Sequence, residues 1–104
     1  MHAAVRRYDG IDESRIAEIA KRVDQSLMPR LSKLPGFNGY YLIESDRGVL
    51  TSVGLFETPA QADESNRIAA KWLQDEKLDA AFPNPPKVTA GTVVAHTTNV
   101  PVFA

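Results

Sequence analysis

A small set of side chains has the types and spacing to act on a small molecule. His96 ends a run whose alternate residues are largely apolar, and a neutral imidazole there could take a proton near neutral pH. Asn66 could steady a ligand oxygen or a developing anion, so His96 and Asn66 are the catalytic candidates. Ser65 keeps helical step with Ile68 and Trp72, and Asn66 with Ala62, Ala69 and Leu73, so at least one of the two polar groups faces inward and must find a partner. That partner is either backbone, as for most buried polar groups, or a phenol, quinone or carboxylate ligand. Trp72, the single tryptophan, sits at core spacing and would stack on a flat ligand if it walls a cavity. Asn38 shares a strand face with Tyr40, which completes a ligand-binding set of Asn38, Tyr40, Ser65 and Trp72, with Arg7 a further polar contact near the sheet. Each has a plain structural alternative: core for Trp72, surface for Asn38 and Arg7, a half-exposed strand end for His96. His2, Glu57 and His96 are expected at one end of the sheet and could together bind a metal. Because His2 stands beside the first residue, a metal is not expected there.

These residues must be positioned by a hairpin and the helices around it. The stretch from Gly36 to Thr58 reads as two strands joined by the polar turn Ser45-Asp46-Arg47-Gly48. Alternation sends Phe37, Tyr41 and Ile43 one way and Tyr40 and Leu42 the other, while Val49, Val53 and Leu55 oppose Leu50 and Phe56. Both faces are therefore largely apolar. Before the hairpin, His2 to Tyr8 reads as a strand closed by the Asp9-Gly10 turn. Asp12 is the expected N-cap of a helix with a core stripe of Ile16, Ile19, Ala20, Val23, Leu27, Leu31 and Leu34. Pro29 interrupts that stripe, which predicts a kink near Ser26 or a restart as a second helix. After the hairpin, Thr58, Pro59 and Gln61 spell a capping box with proline at the first helical position. That helix should fade between Leu78 and Phe82, before Pro83-Asn84-Pro85-Pro86. A last strand begins at Lys87 and runs to His96, with Val88, Ala90, Thr92, Val94 and His96 on one face. The tail from Thr97, with Val100, Val102 and Phe103, is apolar enough to be expected to dock.

Composition narrows the possibilities further. A chain of 104 residues with 43% hydrophobic content reads as one domain, residues 1–104, around a single core. The formal charge of -1, with acidic and basic residues interspersed, gives no basic footprint for nucleic acid. With no cysteine, disulfides, thiolate nucleophiles and cysteine metal sites are excluded. No run approaches the ~20 apolar residues of a membrane span and no secretion signal is visible, so a soluble, cytoplasmic protein is expected. The acidic pairs Asp12-Glu13, Asp63-Glu64 and Asp75-Glu76 read as solvated helix faces.

The order strand, helix, strand, strand, helix, strand is the split βαβ pattern of α+β, ferredoxin-like folds, with an antiparallel sheet carrying both helices on one face. The uncovered face would then expose more apolar surface than a soluble monomer usually tolerates, which predicts a homodimer through the sheet. At this level the chain resembles the dimeric α/β-barrel superfamily, in particular antibiotic-biosynthesis-monooxygenase domains. The matching stretches are Leu34-Pro35-Gly36-Phe37 leading into Tyr40-Tyr41, Val53-Gly54-Leu55-Phe56-Glu57-Thr58, and Ala90-Gly91-Thr92-Val93-Val94. The resemblance implies a pocket for a small aromatic ligand between helices and sheet and, for an enzyme of this kind, cofactor-independent oxygenation of a phenolic substrate. The other reading left open is a non-catalytic binding or interaction module of the same fold. Haem-degrading relatives resemble the chain less, since they pair a tryptophan with a histidine on the second helix, and no histidine lies between Pro59 and Leu78.

Overall fold

A computed structural model describes residues 1–97 of the chain. The expected docking of the apolar tail, with Val100, Val102 and Phe103, lies outside the described residues. Strands β1 (His2–Tyr8), β2 (Phe37–Ser45), β3 (Val49–Phe56) and β4 (Lys87–Thr92) form one antiparallel sheet in the order β2-β3-β1-β4. Helices α1 (Ile16–Arg22), α2 (Met28–Ser32) and α3 (Pro59–Asp75) all cover the same face of it. This is the ferredoxin-like arrangement that the order of elements predicts.

The register of the sheet decides what lies under the helices. Arg6 stands opposite Ser52 on one side and Val88 on the other, and Tyr8 opposite Leu50. Because cross-strand partners point to the same face, Ala4, Arg6, Tyr8, Leu50, Ser52 and Phe56 all turn inward, and all are buried. The opposite face carries Tyr41 and Ile43, which are 61% and 46% exposed, together with Val5, Val53 and Leu55. Phe37 departs from simple alternation. A bulge between Phe37 and Gly39 adds a residue to β2, so Phe37 packs inward at 5.9 Å from the Phe56 ring rather than sharing the face of Tyr41 and Ile43.

The first helical region carries the expected interruption. Asp12 Oδ1 accepts from the backbone N–H and the hydroxyl of Ser14, opening a short 3₁₀ turn, and α1 follows. From Val23 to Leu27 the chain makes a π-turn, and Pro29 then falls in the first turn of α2. Ile16, Ile19, Val23, Leu27 and Leu31 are buried, whereas Ala20, expected in the stripe, is exposed. The π-turn turns Ser26 toward α3, and the Trp72 indole N–H donates to Ser26 Oγ at 2.9 Å. Trp72 is 1% exposed, so this bond satisfies the polar atom of the largest core side chain.

Elsewhere the chain also follows its local signals. Thr58 and Gln61 close a reciprocal capping box at the start of α3. The hairpin turns through Asp46 and Gly48, both at positive φ, and the Ile11 N–H donates to the Gly48 carbonyl at 3.0 Å. A Cβ on Gly48 would collide with the Ile11 carbonyl, so only glycine allows this approach. The last strand stops at Thr92 instead of reaching His96: β4 pairs only with β1, whose ladder ends at His2, and the Val93 N–H bonds to the Met1 carbonyl beyond it. Among the described residues no helix is long and apolar enough to cross a membrane.

Ser26→Ala leaves the buried indole N–H without an acceptor and is predicted to lower unfolding free energy by about 1–3 kcal/mol in chemical denaturation. Gly48→Ala meets both a clash and a left-handed backbone, and is predicted to cost at least about 1 kcal/mol by the same measurement.

Candidate functional site

Between α3 and the sheet lie two adjoining chambers. The inner one, about 20 Å³, is just large enough for water and is bounded by core side chains, with Trp72 and Leu27 on the helix side and Tyr40 and Ser52 on the sheet side. The outer one, about 250 Å³, opens between α3 and the β1–β4 edge and is lined by Arg6, Tyr8, Asn66, Ala70, Leu73, Pro86 and Val88. Arg6, Tyr8 and Leu73 line both, and so form the wall between them.

The polar groups of this wall come from alternate residues of neighbouring strands. Arg6 is 6% exposed, and its Nε donates to Ser52 Oγ at 3.4 Å, the residue directly across the ladder. Burial pushes the Tyr8 hydroxyl pKa up, against the pull of the Arg6 charge. Burial likewise raises Tyr40, which Arg6 and the hydroxyl of Ser52 oppose and Tyr8 reinforces. Both tyrosines are thus held as neutral phenols beside a cation. On the helix side, Asn66 Oδ1 is buried with no hydrogen-bond partner among the described residues. An orphaned acceptor beside a cavity is the kind of group that a ligand or an ordered water satisfies.

The residues singled out from the sequence divide between the two faces. Tyr40 and Trp72 line the inner chamber and Asn66 the outer one. Ser65 is buried, but its hydroxyl donates to the Ala62 carbonyl at 2.6 Å, one turn back in α3, so backbone is the partner it found. Asn38 lies on the opposite face, where its Nδ2 donates to Glu57 Oε1 at 2.9 Å. His96 follows the end of β4 and lines a depression of about 380 Å³ on that same open face, with Met1, Asn38, Tyr41, Leu55 and Glu57. The catalytic pair His96 and Asn66 is therefore not brought together, because the sheet stands between them. Glu57 and His96 share the depression without His2, and among the described residues no group of three potential ligands is placed to hold a metal ion. Arg7 is exposed, and alternation gives the inward place to its neighbour Arg6.

Arg6, Tyr8 and Ser52 are the site residues that sequence reasoning missed. A signal was present: adjacent arginines in a strand covered by helices on one side require one of them to point inward. The alternation Ala4, Arg6, Tyr8 against Ala3, Val5, Arg7 did not say which, since both sets mix apolar and basic residues.

Comparison with known proteins bears on the fold. No family model and no curated protein matches the sequence. Solved structures do match. A Bordetella bronchiseptica protein provisionally assigned as an antibiotic biosynthesis monooxygenase superposes with a TM-score of 0.71 at 23% identity, over 90% of this chain and 97% of that one. A monooxygenase from the gene ActVA-Orf6 of Streptomyces coelicolor, in complex with the ligand nanaomycin D, gives a TM-score of 0.69 at 16% identity over 95% and 92% of the two chains. A dimeric ferredoxin-like protein from an uncultured marine organism gives 0.68 at 17% identity over 94% and 97%. The chain therefore has the ferredoxin-like fold found in structures named as antibiotic biosynthesis monooxygenases, along almost its whole length.

Proposed function

We propose that the protein is a homodimer that binds a small, flat aromatic ligand in the outer chamber between α3 and the sheet. The observation that carries this reading is the chamber itself: about 250 Å³, with apolar walls from Leu73, Pro86 and Val88 and two polar groups, Arg6 and Asn66, converging on it. Apolar walls with a few placed polar groups are the ordinary make-up of a small-molecule site. The S. coelicolor structure holds nanaomycin D on the same fold, which supports a flat ligand here.

Cofactor-independent oxygenation of a phenolic ligand is the activity that the likeness to named monooxygenases supports. Such a reaction needs the ligand to lose a proton and water to be kept away while oxygen reacts. For the second, the apolar side chains of Leu73, Pro86 and Val88 flank the chamber, which stays open at the β1–β4 edge. For the first, no carboxylate or imidazole lines either chamber among the described residues, and both tyrosines are held neutral. That observation favours a second reading, in which the chamber binds and shields a ligand without transforming it.

The dimer is read from the open face. Tyr41, Ile43, Val53 and Leu55 make an apolar surface on the uncovered side of the sheet, the kind of patch that a second copy buries. The dimeric ferredoxin-like structure from the marine organism supports this.

Titration with a naphthoquinone is predicted to quench Trp72 fluorescence saturably. Ala70→Phe, on an exposed position that lines the chamber, should abolish the effect with little change in thermal midpoint while keeping Trp72 the single tryptophan, and a linear, unsaturated response would count against the pocket. Oxygen uptake with a hydroxynaphthoquinol in cofactor-free buffer separates the two readings: uptake that Ala70→Phe abolishes supports oxygenation, and none above the protein-free rate supports binding alone. Sedimentation velocity should show twice the chain mass, and Tyr41→Glu, which places a charge in the middle of the buried face, should give a folded monomer.

A further inference from the structure

Arg6 is the only charged side chain in the buried set of the described residues. Its hydrogen-bonding neighbours are the neutral hydroxyls of Ser52 and Tyr40, and among the described residues no carboxylate lies within ion-pair distance of it. A buried charge without a counterion is strongly disfavoured, and a guanidinium cannot escape by releasing its proton. An anion that enters the chamber beside Arg6 gains from this twice, by its own attraction and by relieving a penalty already present in the empty protein.

We propose that the ligand of this chamber is a flat organic carboxylate, which Arg6 takes by its oxygens while the apolar body lies against Leu73, Pro86 and Val88. The inference rests on the reading that the chamber binds a small molecule, and it names the charged group by which the molecule is held. A phenol is the competing group. Tyr8 and Tyr40 show what becomes of a phenol at this place: the Arg6 charge acts on both, yet burial wins and each stays protonated beyond its ordinary range. A phenolic ligand of ordinary acidity would meet the same balance and leave Arg6 uncompensated. A carboxylate, with an unperturbed pKa of about 4, begins several units further into its ionised range and can be buried here as an anion.

Calorimetric titration of the full chain with 2-naphthoate, 2-naphthamide and 2-naphthol tests the proposal. The carboxylate should bind at least roughly tenfold more tightly than either neutral analogue and should raise the thermal midpoint the most. Arg6→Met should reduce 2-naphthoate to the affinity of the neutral pair, and Arg6→Lys should restore part of the preference. The Arg6→Met protein without ligand should melt no lower than the wild type, since the change removes an uncompensated buried charge, and this separates loss of binding from loss of fold. The proposal is overturned if 2-naphthol or the amide binds as tightly as the carboxylate, or if Arg6→Met binds 2-naphthoate like the wild type. Binding of the neutral analogues alone would sink the carboxylate and leave the ligand-binding reading standing. Binding of none of the three, with no quenching by the naphthoquinone, would sink both.

Discussion

The position of β1 in the middle of the sheet governs everything else in the molecule. It pairs with β3 along one edge and β4 along the other, so its backbone donors and acceptors are engaged on both sides and its register cannot slip without breaking two ladders. Strict alternation in such a strand admits one solution: if Ala4 and Tyr8 enter the core, Arg6 enters with them. The burial of a cation is thus a consequence of pairing two ladders correctly. Ser52, fixed opposite by the same register, gives that cation a hydrogen bond without neutralising it.

Around this strand the two faces of the sheet take different roles. The inner face combines a packed core from α1, α2 and α3 with the chambers beside Arg6, and its tightness comes from Trp72, Leu31 and Phe56, all fully enclosed. The outer face carries the apolar side chains of Tyr41, Ile43, Val53 and Leu55, and at one end the depression lined by Asn38, Glu57 and His96. This separation lets the open face and the face under the helices change independently, because cross-strand neighbours point to the same side and substitutions on one face leave the other in register.

The fold was legible from local signals because each acts at short range. The capping box at Thr58, the turn at Gly48 and the proline-broken stripe around Pro29 each report the conformation of a few residues, and each is found where it was expected. The site was less legible because its members are joined only through the sheet. Asn66 and Tyr40 could be picked out as polar groups on inward stripes, but Arg6 and Arg7 are indistinguishable until the β1–β3 register is known. The placement of His96 on β4 differs for a related reason: β4 ends with the ladder it shares with β1, so the alternation that would have carried the histidine further along the strand stops at Thr92. Phe37 was misplaced by a bulge, which shifts the side-chain phase by one residue without an unmistakable mark in the sequence.

The π-turn between α1 and α2 fixes the phase of everything that follows it. A π-turn holds one residue more than the α-turn, so the segment Val23–Leu27 widens the helical path by one residue. Deleting one residue there would rotate everything after it by about 100°, carrying α2 off its seat on the sheet. Ser26 would leave the indole of Trp72 at the same stroke. The extra residue of the π-turn and the tryptophan are therefore tied together: a change that straightens the turn leaves the buried indole without its acceptor.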